Sequence, residues 1–372
     1  MSNLSRWATW NEIHAQPDIW EAWQNNFDYR EVRQWIKSLD IEEVWFCGAG
    51  TSAYIGDIIV AGLEGQGGAR LRAVASTDLV SRPCEYLQNQ STKTLIVSFG
   101  RSGNSAESIG TLEVLDALAP LCPRLHITCN PDSVLASAVS LGPQKTIVLP
   151  AATHDAGFAM TSSFSTMCYT ALLLFDARVS RFENHGQTCA INKSAAPLGV
   201  LASQLRNVLG SYTNRISGAP QRAVFLGSGA LTYAARESAL KVLELSAGSI
   251  PAVWDSVLGF RHGPKSFVNE NTSVVVFMSP DSPTCDYERD LVAELRQQFP
   301  LATVITIGIE ADVPVDMPFG PTWAAPVCVA YAQVAGVIWS NAMGLNVDNP
   351  FEGQQTLSRV VADVTLYPVQ TC

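Results

Sequence analysis

The chain carries little charge and no basic cluster. Only 16% of its 372 residues are Asp, Glu, Lys or Arg, and 34 acids against 24 bases leave a net charge of −10. Nucleic-acid backbones are held by basic surfaces, so neither DNA nor RNA is expected as a partner. The nine cysteines include no CxxC pair. This argues against a zinc site and against a disulfide framework; reduced thiols and a cytoplasmic setting are expected instead. No apolar run follows the opening MSNLSRWATW, so no signal peptide is expected. One uncharged stretch, Ala324 to Leu345, is long enough to cross a bilayer, but Pro326, Gln333, Ser340 and Asn341 interrupt it. It reads as a helix buried inside an α/β protein, and no membrane association is expected. A complete dinucleotide fingerprint is also missing. Gly48-Ala49-Gly50 follows an apolar run, yet the third glycine comes late and no acid ends a following strand.

What is present is a well-buried globular composition, with 47% hydrophobic residues over a length suited to two domains. The most informative stretch runs from Leu95 to Ser108. Leu95–Phe99 is a short apolar run and predicts a buried strand. Asn104, with Glu107 three residues later and apolar positions beyond, predicts a helix N-terminus. Between strand and helix lie Gly100, Arg101, Ser102, Gly103 and Ser105. Backbone N–H groups of such a turn converge, and the helix dipole adds partial positive charge. The hydroxyls of Ser98, Ser102 and Ser105 can donate to the same spot. The pattern describes a phosphate cradle, though it lacks the lysine of a P-loop; a strand-to-helix turn rich in caps is the plainer alternative.

The strand–glycine–helix theme recurs at 44–63, and further strands are expected at Leu71–Ala75, Leu125–Cys129 and Thr146–Leu149. Strands alternating with helices predict a doubly wound parallel sheet, hence an α/β fold. The second half repeats the first: Phe225–Tyr233 lines up with Phe46–Tyr54, and Ser273–Ser279 stands where Lys93–Ser98 stood. There the Gly/Ser loop is replaced by Pro280, Asp281, Ser282, Pro283 and Asp286. Copies that diverge at one loop point to that loop as functional. The expected layout is an N-terminal helical segment over 1–40, opened by a Thr9/Glu12 capping box. A first α/β domain over 41–185, a connecting helical segment over 186–220, a second domain over 221–345 and a tail over 346–372 follow.

Two further stretches carry titratable groups. Glu237, Lys241 and Glu244 share one face of a predicted helix at i, i+4 and i+7. His262 lies in the irregular run Gly259-Phe260-Arg261-His262-Gly263-Pro264-Lys265. A solvated ion-pair stripe and an ordinary loop histidine are the plainer alternatives.

Taken together, Gly48–Ser52, Ser98–Ser105, Glu237–Glu244 and His262-Gly263-Pro264 resemble the sugar isomerase (SIS) domain family, and the isomerase half of glucosamine-6-phosphate synthase especially. The stretches GAGTSAYIGDII, SFGRSGNSAES, THDAGFAMTSS, ARESALKVLELSAG, GFRHGPKSF and SRVVADVTLYP are similar to bacterial AgaS-type galactosamine-6-phosphate deaminase/isomerases. The resemblance implies two tandem SIS domains, at least a homodimer, and a sugar-phosphate substrate handled without metal or cofactor. It makes Gly50, Thr51, Ser52, Ser102 and Ser105 resemble phosphate ligands, with Ser98, Gly100 and Arg101 alongside. Glu244 resembles the base that moves a proton between C1 and C2, and Lys241 a lysine beside it. His262 resembles the ring-opening histidine, often supplied by a neighbouring subunit, and Phe158 a wall of the sugar pocket. Implied is conversion of galactosamine 6-phosphate to tagatose 6-phosphate and ammonia. Plain ketose/aldose isomerisation, glucosamine 6-phosphate as substrate and a non-catalytic sugar-phosphate sensor are the alternatives.

Overall fold

The structure is a computed structural model that describes residues 4–66, 68–87, 92–180, 196–354 and 357–370. Its chain divides into two compact units, each assembled from separate segments. One comprises Asn25–His154, Ser162–Val179 and Leu357–Cys372; the other comprises Met1–Gln24, Asp155–Thr161 and Ser180–Thr356.

The first of these units is built on β1 (Glu43–Gly48), β2 (Arg70–Ala75), β3 (Thr94–Gly100), β4 (Arg124–Thr128) and β5 (Gln144–Val148). All pair in parallel, in the order β2-β1-β3-β4-β5. The three strands expected at 71–75, 125–129 and 146–149 fall on β2, β4 and β5. Every residue of β3 is buried. A strand covered by helices on both sides has no solvent face, which is why TLIVSFG reads as a continuous apolar run. One face meets the Ala106–Leu118 helix, where Val114 and Leu115 pack with Trp45, Cys47 and Ile96. On the other, Phe46 meets Phe175 of the Ser162–Phe175 helix edge to face.

The second unit repeats this winding with β6 (Arg222–Gly227), β7 (Ala252–Ser256), β8 (Thr272–Met278), β9 (Thr303–Gly308) and β10 (Val313–Pro314). The order is β10-β9-β8-β6-β7, again parallel throughout. The duplication expected from sequence is therefore present, and the fold is α/β with two doubly wound sheets. The uncharged stretch forms the Pro321–Ala342 helix, and 94% of its most apolar window is buried inside the protein. Tyr212 of the Pro197–Arg215 helix donates its hydroxyl to the Val327 carbonyl at 2.8 Å. Residues 186–195 of the expected connecting segment, with 181–185 of the expected first domain, lie outside the described residues.

Two expectations about caps are corrected. Thr9 lies inside the Ala8–Asn26 helix and does not precede it. Its N-terminus is capped from far along the chain: Asp348 accepts from the N–H groups of Ala8 and Thr9 and from the Thr9 hydroxyl. Likewise Ser105, and not Asn104, caps the Ala106–Leu118 helix, accepting from Ser108 N–H. Asn104 instead accepts from Val134 N–H at 2.8 Å. The thiol expectation holds for the six described cysteines that are free and buried, but near-surface Cys84 takes part in a disulfide. Burial pushes the Cys47 thiol up to about 12, so it supplies no thiolate at neutral pH.

Candidate active site

In a 2-1-3-4-5 sheet the chain leaves β1 toward one edge and returns at β3 on the other side. The loops after β1 and β3 therefore flank the switch point, where parallel sheets bind ligands. The first cradle residues come from these two loops. After β1, Gly50 takes φ +56°, a conformation that costs other residues energy, and the Thr51–Leu63 helix begins with buried Thr51 and Ser52. After β3, residues 101–105 form the second loop. Gly103 has φ +62°, and a Cβ there would lie 2.5 Å from the Ser133 hydroxyl oxygen. The loop is pinned from the β4 side: Asn130 Nδ2 donates to the Ser102 carbonyl and Leu135 N–H to that of Gly103.

Not every predicted ligand sits alike. Ser102 accepts from Asn104 N–H at 3.3 Å and keeps its own proton to donate. Ser105 is engaged as the cap and lies 3.0 Å from the Ser108 hydroxyl. Ser98 is inside β3, before the loop begins, buried, and its hydroxyl has no hydrogen-bond partner among the described residues. Arg101 is also buried, and one guanidinium nitrogen donates to the Arg359 carbonyl at 2.9 Å.

The acid–base candidates lie in the second unit, on the Ala230–Leu245 helix. Glu237 and Lys241 are wholly buried, so the face is not a solvated stripe. Lys241 Nζ lies 3.3 Å from Glu237 and 2.5 Å from Glu244. Burial alone drives a lysine toward its neutral form; the charges of Glu237 and Glu244 outweigh it and raise the Lys241 pKa. Glu244 is the open end of this triad, its side chain 21% exposed where the other two are at 0%. The arrangement places a fixed ammonium against a carboxylate that solvent and a small molecule can reach.

His262 ends a short 3-10 turn and is exposed. Among the described residues its imidazole makes no hydrogen bond, and none joins it to Glu244 or Lys241. Its neighbours are anchored: Arg261 Nε donates to Glu294 at 2.9 Å, and Lys265 pairs with the same carboxylate. Phe158 stacks obliquely on Phe351, with ring centroids 4.9 Å apart, and its N–H donates to the Asp348 carbonyl. Sequence reasoning missed Glu294, which has no motif around it, and took Glu12 for part of a cap. Glu12 in fact accepts from Ala156 and Gly157 N–H, beside Phe158. The ordered run THDAGFAMTSS was the available signal for that loop.

No family model matches the chain. It is 38% identical over 386 residues to the D-galactosamine-6-phosphate deaminase AgaS of Escherichia coli, covering 98% of this chain and 97% of that protein. To AgaS of Shewanella sp. (strain ANA-3), also called a D-galactosamine-6-phosphate deaminase, it is 34% identical, covering 97% and 92%. Among solved structures, tagatose-6-phosphate ketose/aldose isomerase from Escherichia coli matches with a TM-score of 0.84 and 36% identity, over 100% of this chain and 99% of that one. With identity at this level over almost the full length of both partners, the chain belongs to the AgaS family.

Proposed function

We propose that the protein is an isomerising deaminase that converts D-galactosamine 6-phosphate and water to tagatose 6-phosphate and ammonia. The observation that carries this reading is the buried Glu237–Lys241–Glu244 triad with Glu244 left open. A sensor has need of a phosphate cradle but not of a base held against a buried ammonium. The cradle formed by Gly50, Thr51, Ser52, Gly100, Ser102 and Ser105 binds the phosphate, with Ser98 and Arg101 behind it. Holding that remote dianion positions C1 and C2 and lets binding energy lower the barrier.

His262 transfers the proton that opens the sugar ring, a task suited to an imidazole, which can both accept and donate a proton. Glu244 takes the C2 proton from the open chain and delivers it to C1, passing through an enamine to a ketimine. Lys241, buried behind Glu244, acts through that carboxylate by holding it in place with a fixed positive charge. Water adds to the imine carbon, ammonia leaves, and the ketose phosphate remains. Phe158 forms part of the sugar's surroundings. No residue in this scheme calls for a metal or redox cofactor. The exposed imidazole, which makes no hydrogen bond among the described residues, supports a homodimer in which His262 serves the neighbouring subunit. A cytoplasmic role in amino-sugar catabolism fits the acidic chain.

Glu244→Gln keeps shape and loses the base. It is expected to fold, to bind sugar phosphate, and to release ammonia about 10²–10⁴-fold more slowly at saturating substrate. A folded variant that keeps more than about a tenth of wild-type turnover removes Glu244 from the role of base. Plain ketose/aldose isomerisation is the second reading, favoured by the name of the solved relative. Ammonia release measured side by side on galactosamine 6-phosphate and glucosamine 6-phosphate, with ketose formation followed in parallel, separates these readings.

A further inference from the structure

The two copies of the fold offer the same pair of loops but not the same site. Gly229 after β6 has φ +56°, as Gly50 has after β1. The loop 279–283 after β8 is as long as 101–105 after β3, and each leads into a helix. Ser228 thus corresponds to Ala49, and Ser279 to Arg101 and not, as the sequence alignment implies, to Ser98, because β8 ends at Met278 where β3 ends at Gly100. In the second copy the donors of these loops are already occupied. Glu288, the fifth residue of the Thr284–Gln298 helix, is fully buried. Its Oε2 accepts from Ser279 N–H at 2.6 Å and its Oε1 from the Ser279 hydroxyl at 2.8 Å. The Ser228 side chain donates to it as well. The fifth residue of the corresponding Ala106–Leu118 helix is Gly110, which has no side chain.

Donors from the loops after β6 and β8, the strands astride the second switch point, therefore converge on one carboxyl group. A carboxylate and a phosphate ask for the same thing, N–H and O–H donors around an oxygen acceptor. Burial pushes the Glu288 pKa up, while the donors from Ser279 and Ser228 and the charge of Arg289 pull it back.

We propose that Glu288 is a built-in stand-in for phosphate that closes the second cradle, so that each chain takes up one sugar phosphate and not two. This rests on the reading of the first cradle as the phosphate site. Inorganic phosphate is the probe, titrated while thermal unfolding of wild type, Glu288→Ala, Glu288→Gln and Glu288→Ala with Ser102→Ala and Ser105→Ala is followed. Glu288→Ala is expected to melt below wild type without phosphate. Saturating phosphate should then raise its Tm by about 3 °C more than it raises that of wild type. The extra rise should persist in the triple variant and be missing in Glu288→Gln, whose side chain still fills the space. A Glu288→Ala response equal to that of wild type overturns the proposal, and so does an extra response that vanishes in the triple variant. If Glu288→Ala does not fold, Glu288→Ser takes its place under the same two outcomes. Failure of the first-cradle reading looks different: wild type would give no response while Glu288→Ala still does.

Discussion

Glu12 holds its proton up to about pH 7 in the folded chain, from an ordinary value of 4.5. Burial is the main cause and the charge of Asp155 the next; the N–H groups of Ala156 and Gly157 work against both, and Asp348 adds to the rise. The linkage has a definite sign. Between about 4.5 and 7 the folded state binds more protons than the unfolded one, so this group's contribution to stability falls as pH rises through that window. Glu12→Gln removes the titration and can still accept from both N–H groups. It is expected to melt above wild type at pH 8, with the difference fading toward pH 4; a difference that does not change with pH contradicts this account. His126 on β4 has the opposite sense. Burial, helped by Arg124, lowers its pKa to about 4, so its contribution is lost as pH falls below 6.5.

The short element from Gly259 to Phe267 shows how an exposed loop can be held in one shape. Arg261 and Lys265 flank His262-Gly263-Pro264, and both reach Glu294 on the Thr284–Gln298 helix. Hydrogen bonds from Lys265 and Arg261 keep the Glu294 carboxyl below its ordinary pKa. Partly exposed ion pairs contribute only about 0–1 kcal/mol to stability. Positioning is another matter, since small displacements of a reacting group cost rate steeply. Glu294→Ala is expected to lower kcat about tenfold with little change in KM and Tm, and Glu294→Asp to recover part of it. Unchanged kcat in Glu294→Ala would reduce the clamp to a surface ion pair. Elements of this kind mark the limit of what the sequence discloses. Runs such as Thr94–Gly100 and Thr272–Met278 were legible because burial on both faces demands unbroken apolarity. Glu237, Lys241 and Glu244 were legible because one helix carries all three. Asp348 over Ala8 and Thr9, Glu294 between Arg261 and Lys265, and Glu288 under Ser279 were not. Each acts across a gap in sequence set by tertiary packing, and Glu288 sits between Tyr287 and Arg289 like any solvated helix acid.

At the scale of the whole molecule, an assembly in which one chain lends His262 to its neighbour can be tested by mixing. Glu244→Gln and His262→Ala proteins should each be inactive. Unfolded together and refolded as random dimers, they should regain about a quarter of wild-type activity, since half the dimers carry one intact pairing. Recovery no greater than the sum of the separate proteins places base and histidine in the same chain. The interleaving of the two units has a consequence of its own. The Ala8–Asn26 helix is synthesised long before Asp348, which caps it, and Gln333, whose side chain accepts from Gln16. At about 5–20 residues per second the helix waits tens of seconds for both. Through that interval the N–H groups of Ala8 and Thr9 lack their native acceptor. Until Asp348 is made the helix has no native cap, and slower translation of the intervening codons lengthens that interval.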